Sequence, residues 1–239
     1  TYTKMMEGVA LVKAHHIDFI LAVGGGSVID CAKGIAASAY ATSDPWEQYW
    51  IRQEPLSNPV VPLGSILTMV GTASEMNGGS VITHEAQQLK KGRQFPPAVF
   101  PQFSILNPEY TYSVSPYQMV SGIFDILSHL HEQYFSGDDD NVSDALTEGL
   151  YKSVVRNTRI ALKTPTNYEA RANLMWAATI GLNRLLGCGK QQDWQVHHLE
   201  HQLGAYTDCA HGMGLSALTI PYFFAVYPYA LPKFVRYAT

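Results

Sequence analysis

Phe19-Ile20-Leu21-Ala22-Val23-Gly24-Gly25-Gly26-Ser27-Val28-Ile29-Asp30 is the stretch on which the reading of this chain turns. Its opening apolar run, Phe19–Val23, is short and continuous, as is typical of a buried parallel strand. Three glycines follow, and Val28–Tyr40 has helical periodicity with Ser27 placed to cap the first turn. Strand, glycine turn and helix make a βα unit. At such a turn the backbone N–H groups and the helix dipole favour an anion such as a pyrophosphate, and the missing side chains allow close approach. The spacing is not that of the GxGxxG fingerprint, and a tight turn with no ligand explains the motif alone almost as well.

Working outward, residues 3–16 carry Met6, Val9 and Val12 in helical rhythm. Beyond the helix Val28–Tyr40, Thr42–Asn58 is looser, and Pro62–Val70 reads as a second strand. That strand runs into Gly71-Thr72-Ala73-Ser74-Glu75-Met76-Asn77. Ligands of open α/β sheets bind beyond the carboxyl ends of strands, where both small-residue loops would lie; taken alone, Thr72 and Ser74 read as helix caps. Ser80–Thr83 and Ala98–Leu106 are expected as further strands around a polar loop, His84–Gln94. From Ser115 onward the periods become long and helical, over 116–135, 142–162, 167–186, 193–204 and 212–226, with a last helix starting near Pro232. The loop Gly137-Asp138-Asp139-Asp140 separates the first two. The expected fold class is an α/β, Rossmann-like half with a parallel sheet, followed by an all-α half. Residues 1–108 would be an incomplete dinucleotide-binding domain and 109–239 an incomplete helical metal-binding domain.

Composition excludes several functions. A net charge of -4 with no basic run argues against nucleic acid as a partner. No apolar run approaches the ~18 residues of a membrane span, and the N-terminal residues lack a signal-peptide pattern. Cys31, Cys188 and Cys209 are scattered and odd in number, so neither a disulfide framework nor a thiolate metal site is indicated, and a cytoplasmic location is expected. Only 15% of residues are charged, which suggests surface covered by a partner subunit or by further chain. A homo-oligomer, a dimer first, is the expectation.

Histidine is the informative residue. Asp125 and His129 are four apart on a strongly periodic helix and so share a face one turn apart. Alone, such a pair is more often a buried imidazole held by its helical neighbour. In Trp194-Gln195-Val196-His197-His198-Leu199-Glu200-His201, His197 and His201 share a face and His198 is turned about 100° away. His211 stands at the head of the next helix, so the link Gly204–Ala210 must fold back to bring it near. Inward-facing imidazoles with a carboxylate suit Fe(II) or Zn(II). His198 and His131 are expected on helix surfaces, His15 and His16 at a helix end, and Trp194 and Phe124 in the core.

Taken together, Gly24–Ser27 with Asp30 and Lys33, Gly71–Glu75, Asp125-x3-His129 and the His197/His201/His211 set resemble the iron-containing, group III alcohol dehydrogenases. Ala22–Asp30, Ser74–Asn77 and Ala170–Thr179 add to the likeness, most of all to the branch of butanol dehydrogenases and NADPH-dependent aldehyde reductases. The resemblance runs over the whole chain. It implies Asp125, His129, His197 and His211 as ligands of one divalent metal, Fe(II) or Zn(II). His201 would then stand beside the nicotinamide, relaying a proton or orienting a neighbour. Gly25, Gly26 and Ser27 would hold the pyrophosphate, Asp30, Thr68, Thr72 and Ser74 would line the ribose and nicotinamide, and Lys91, beside Lys90, would contact the cofactor. Family members begin with a further strand-helix-strand segment and extend beyond the last helices, so on this resemblance the chain is truncated at both ends. NADP(H) rather than NAD(H) is what the branch implies, although the loop that discriminates them lies in the missing segment. The activity implied is hydride transfer between NAD(P)(H) and a primary alcohol or aldehyde such as butanol or butanal. Glycerol dehydrogenase and dehydroquinate synthase share the glycine turn but use a smaller ligand set. A metal-dependent hydrolase does not explain the two nucleotide-type loops, and an inactive fragment is the remaining alternative.

Overall fold

In the computed structural model, residues 1–137 and 141–238 are described. Asp138, Asp139 and Asp140 of the expected loop lie outside them. The chain forms two compact units, one of residues 1–69 and 74–107, the other of residues 70–73 and 108–239.

The first unit opens with α1 (Tyr2–His15), where the Thr1 side chain accepts from Lys4 N and His16 ends the helix in a left-handed conformation. β1 (Ile20–Gly24) pairs in parallel with β2 (Leu63–Leu67), in register from Ile20 opposite Leu63 to Gly24 opposite Leu67. The two strands therefore end level, and Thr68 N donates to Gly24 O at 3.0 Å just beyond. α2 (Gly26–Ser38) starts earlier than its sequence suggests. Gly25, not Ser27, is the cap, because the Gly25 carbonyl already accepts from Val28 N and Ile29 N, leaving Ser27 exposed in the first turn.

The polar segment expected as a loop is half strand. β3 (Gly79–His84) and β4 (Leu89–Gln94) form an antiparallel hairpin, turned at Glu85–Gln88. Leu89-Lys90-Lys91-Gly92-Arg93-Gln94 carries no alternation of apolar residues, since it is covered only in part on either face. Conversely, only Ser104–Ile105 (β5) of the expected strand Ala98–Leu106 is extended, paired in parallel with β2. Its start is a helical turn, Pro97–Val99, following Pro96. The loose aromatic stretch contains a π-helical turn, Trp46–Ile51, that places Trp46, Tyr49 and Trp50 in the core with Met5, Ile82, Phe95 and Val99.

The second unit holds helices and no strand among its described residues: α3 (Pro116–Tyr134), α4 (Val142–Lys163), α5 (Tyr168–Leu182), α6 (Gln195–Thr207), α7 (His211–Val226) and α8 (Leu231–Tyr237). Ser115, Asn141 and Asn167 cap α3, α4 and α5 by accepting from backbone N–H groups. Met119, Ile123, Ile126 and Leu130 of α3 pack with Tyr151 and Val154 of α4 and with Leu174 and Ala178 of α5. α7 lies on α3 so closely that a Cβ on Gly212 would stand 1.8 Å from the Ser121 carbonyl oxygen. No helix among the described residues is long and apolar enough to cross a membrane.

Gly212→Ala should lower unfolding stability by about 1–3 kcal/mol or more, because backbone rather than a movable side chain blocks the methyl group. Gly149→Ala is the control. Nothing lies within 4 Å of a Cβ at that position in α4, so the change should stabilise by about 0.5–1 kcal/mol. Denaturant melts of both variants check the pair.

Candidate functional site

α3 is the hub of the candidate metal centre. Its Asp125 and His129 are buried, with 3.3 Å between Asp125 Oδ1 and His129 Nε2. α6 brings His197 Nε2 to 3.7 Å from the same oxygen, and the first residue of α7 brings His211 Nε2 to 3.6 Å. These separations have a simple meaning. Ligand atoms about 2.0–2.2 Å from one ion in tetrahedral array stand about 3.3–3.6 Å from each other. Neither Asp125 Oδ1 nor His197 Nε2 has a hydrogen-bond partner, although both are buried. A carboxylate oxygen and an imidazole nitrogen left in that state are expensive unless something accepts their lone pairs. Three imidazoles, one carboxylate and no thiolate suit Fe(II) or Zn(II), so the residues fit a divalent metal. Asp125, His197 and His211 offer atoms within 4.8 Å of one another; His129 is not that close to all three and joins them through Asp125.

Gly71 allows this arrangement. A Cβ there would meet Asp125 Oδ2 at 2.9 Å and Gly122 at 3.4 Å. Gly214, one turn into α7, likewise permits the approach of Glu200 Cγ, which a Cβ would meet at 2.9 Å.

Two carboxylates that sequence reasoning passed over hold the imidazoles from behind. Glu132 Oε2 accepts from His197 Nδ1, and Glu132 also takes the first N–H groups of α6, Val196 N at 2.6 Å and His197 N at 3.3 Å. Glu200 Oε2 accepts from His211 Nδ1. A carboxylate only accepts, so each Nδ1 donates and each Nε2 is the nitrogen turned toward Asp125. The signal was present: Glu132 is three residues after His129 and Glu200 three after His197, hence on the same helix faces.

Charge in the cluster is divided unevenly. Burial by itself would raise the Asp125 carboxyl, but His129, His211 and His197 hold it well below the usual carboxylate range. Burial, with the nearby imidazoles of His197 and His211, brings His129 down to about 4 against the pull of Asp125. For His197 burial also acts downward, yet Asp125 and Glu132 outweigh it and raise the imidazole to about 9.

His201 is partly buried one turn along α6, its ring 6.4 Å from that of His197 and 5.8 Å from that of His211. His198 is exposed. His131 is not on the surface: it is buried among Tyr151, Phe135, Phe223 and Tyr237, with Nε2 3.1 Å from the Tyr237 hydroxyl. Helical spacing put it off the metal face correctly, but α3 is covered on its other faces too. Trp194 is partly buried and edge-on to both His129 and His197, so it borders the cluster.

In the α/β unit, Gly25 and Gly26 are partly buried and Ser27 exposed, at the turn where β1 ends. Thr68 and Lys91 are partly buried, Lys91 on β4 opposite Ile82. Asp30 and Ser74 depart from expectation. Both are buried and joined to each other, Ser74 Oγ donating to Asp30 Oδ1, and Asp30 Oδ2 accepts from Val81 N at 2.8 Å. Thr72, partly buried, falls in the segment 70–73 that belongs with the helical unit.

Residues 1–108 match the family model of iron-containing alcohol dehydrogenase, and residues 119–234 match that of the C-terminal part of the same family. The chain belongs to the iron-containing alcohol dehydrogenase family. It is 39% identical to NADH-dependent butanol dehydrogenase A of Clostridium acetobutylicum, over 91% of this chain and 55% of that protein. It is 40% identical to the NADPH-dependent aldehyde reductase YqhD of Escherichia coli, over 92% of this chain and 57% of the relative. The crystal structure of NADH-dependent butanol dehydrogenase A from Thermotoga maritima superposes with a TM-score of 0.94 at 36% identity, covering 98% of this chain and 58% of that one. The chain thus spans little more than half the length of these relatives.

Glu132→Gln tests whether the carboxylate behind His197 matters for metal. The amide can still accept from the start of α6 but cannot offer a charged acceptor to Nδ1. Metal affinity, read by competition with a chelator, should fall about 10–100-fold. Unchanged affinity would reduce Glu132 to a helix cap.

Proposed function

We propose that this chain is the core of an alcohol dehydrogenase or aldehyde reductase that moves a hydride between NAD(P)(H) and a primary alcohol or aldehyde such as butanol or butanal. The observation that carries the reading is the convergence of three imidazole Nε2 atoms on the partnerless Asp125 Oδ1. When bound, a divalent ion there supplies Lewis acidity toward an alcohol or carbonyl oxygen, and the nicotinamide supplies or accepts the hydride.

The residues have separable tasks in this proposal. Asp125, His129, His197 and His211 hold the metal, and Glu132 and Glu200 keep His197 and His211 turned toward it. Gly25, Gly26 and Ser27 present backbone N–H groups to the pyrophosphate at the start of α2. Thr68, Thr72 and Lys91 are assigned to the rest of the cofactor. Asp30 and Ser74 serve it by holding the turn beside them. His201, one turn from His197 and partly exposed, moves the hydroxyl proton toward solvent. The cofactor is NADP(H) or NAD(H). Resemblance to the aldehyde reductase favours the first, whereas the butanol dehydrogenases among the relatives are named as NADH-dependent. We also infer a homo-oligomer, a dimer first, from large side chains left exposed in the helical unit, such as Tyr206, Phe224 and Tyr229.

The decisive experiment is butanal reduction by NADPH and by NADH, before and after stripping the protein with a chelator and restoring Fe(II) or Zn(II). Turnover should disappear with the metal and return with it; turnover indifferent to metal would defeat the proposal. His197→Ala should remove both bound metal and activity. His201→Ala should keep the metal and lose about 10²–10⁴-fold in turnover, as expected for a general acid–base group. Loss of metal in His201→Ala would make His201 a ligand and reopen the place of His211.

A further inference from the structure

Lys33 is fully buried in the α/β unit, within α2. Its Nζ donates to Ser74 Oγ at 2.9 Å, to Asn77 Oδ1 at 3.1 Å and to the Gly79 carbonyl at 2.9 Å. An ammonium has three N–H donors, and here each has one acceptor. All three acceptors lie in residues 74–79, the second of the small-residue loops. Ser74 passes the contact on to Asp30 Oδ1, so cation and carboxylate on the same helix grip one hydroxyl between them. Asp30 further accepts from Val81 N, and its carbonyl accepts from Ser80 Oγ at 2.8 Å. Asn77 Oδ1 also accepts from Gly79 N at 2.9 Å, closing the turn on itself. One turn of α2 therefore fixes the whole 74–81 segment.

The opposite end of the same helix face is the glycine turn. α2 begins at Gly26, and Asp30 and Lys33 follow one and two turns later. A rigid helix that presents anion-binding N–H groups at its start and clamps the 74–79 loop along its side fixes the distance between the two loops. We propose that Lys33 is a positioning residue for the nicotinamide cofactor: its ammonium locks the 74–79 turn to α2 and so sets the surface on which the cofactor lies. This inference rests on the cofactor reading given above.

The lock depends on charge. Burial pushes the Lys33 ammonium down from 10.5 to about 8, against the attraction of Asp30 on α2 and Glu75 in the 74–76 turn, the charged groups that face it. A neutral amine has two N–H donors for three acceptors, so deprotonation must release one of the contacts. The sign for folding runs the other way. Between about 8 and 10.5 the unfolded chain holds this proton and the folded chain does not, so this group's contribution to stability rises with pH across that window. A lysine that mattered only for stability would strengthen the protein there; a positioning lysine weakens cofactor binding while doing so.

The test is a fluorescence titration of the metal-loaded protein with NADPH and with NADH across neutral and alkaline pH, with metal content and thermal melting read on the same samples. In the wild type, affinity should weaken as pH passes about 8. Lys33→Met, of similar length and uncharged, should bind about 10-fold more weakly at neutral pH, keep its metal and show no alkaline loss. Wild-type affinity in Lys33→Met, or an alkaline loss that persists in it, overturns the proposal. Should Lys33→Met fail to fold, Lys33→Arg takes its place, because a guanidinium stays charged throughout and must abolish the alkaline loss; a loss retained there also overturns it. If the wild type binds neither cofactor at neutral pH, the cofactor reading itself fails, which is a different result from binding that ignores Lys33.

Discussion

A carboxylate oxygen sealed from water with no proton donor is the constraint around which the helical unit is arranged. Asp125 Oδ1 is in that state, with three imidazole nitrogens 3.3–3.7 Å away. Removing such a charge from water costs several kcal/mol, which packing alone does not return. The compensation is positive charge, carried by His197 in this structure and supplied by a cation in the proposed function. Three glycines allow that convergence: Gly71 brings backbone against Asp125, Gly212 lets α7 touch α3, and Gly214 makes room for Glu200.

The second ring of carboxylates turns convergence into orientation. Glu132 is at once the acceptor for His197 Nδ1 and the cap of α6, so the helix and its imidazole are aligned by the same side chain. Glu200 does for His211 part of what Glu132 does for His197. In the α/β unit the analogous economy is Asp30 and Lys33, which use one helix turn to hold a loop more than forty residues away in sequence. Both arrangements bury a charge where its hydrogen bonds hold a neighbouring element in place.

Much of this was legible in advance because it is local. Apolar Phe19–Val23 before three glycines fixes a strand and turn; long 3.6-residue periods fix the helices to within a few residues of their observed ends. The hairpin β3–β4 was not legible, since Leu89–Gln94 is mostly polar and its extended form comes from pairing with β3 rather than from its own pattern. α2 starts at Gly26, two residues before Val28, because a serine looks like a cap while a glycine carbonyl can begin the ladder as well.

Sequence by itself determined which residues could be ligands, because i, i+4 spacing on a helix is a property of the backbone. Asp125 with His129 and His197 with His201 follow from it. It could not determine which of His201 and His211 meets Asp125, for that depends on how the chain between α6 and α7 turns back. The left-handed residue Asp208 ends α6, and the close crossing at Gly212 carries His211 to 3.6 Å from Asp125 Oδ1. Nor could it show that Asp30 and Ser74 face each other, or that Glu132 and Glu200 stand behind the imidazoles. Those contacts join helices and loops through space, and only the packing of one element on another decides them.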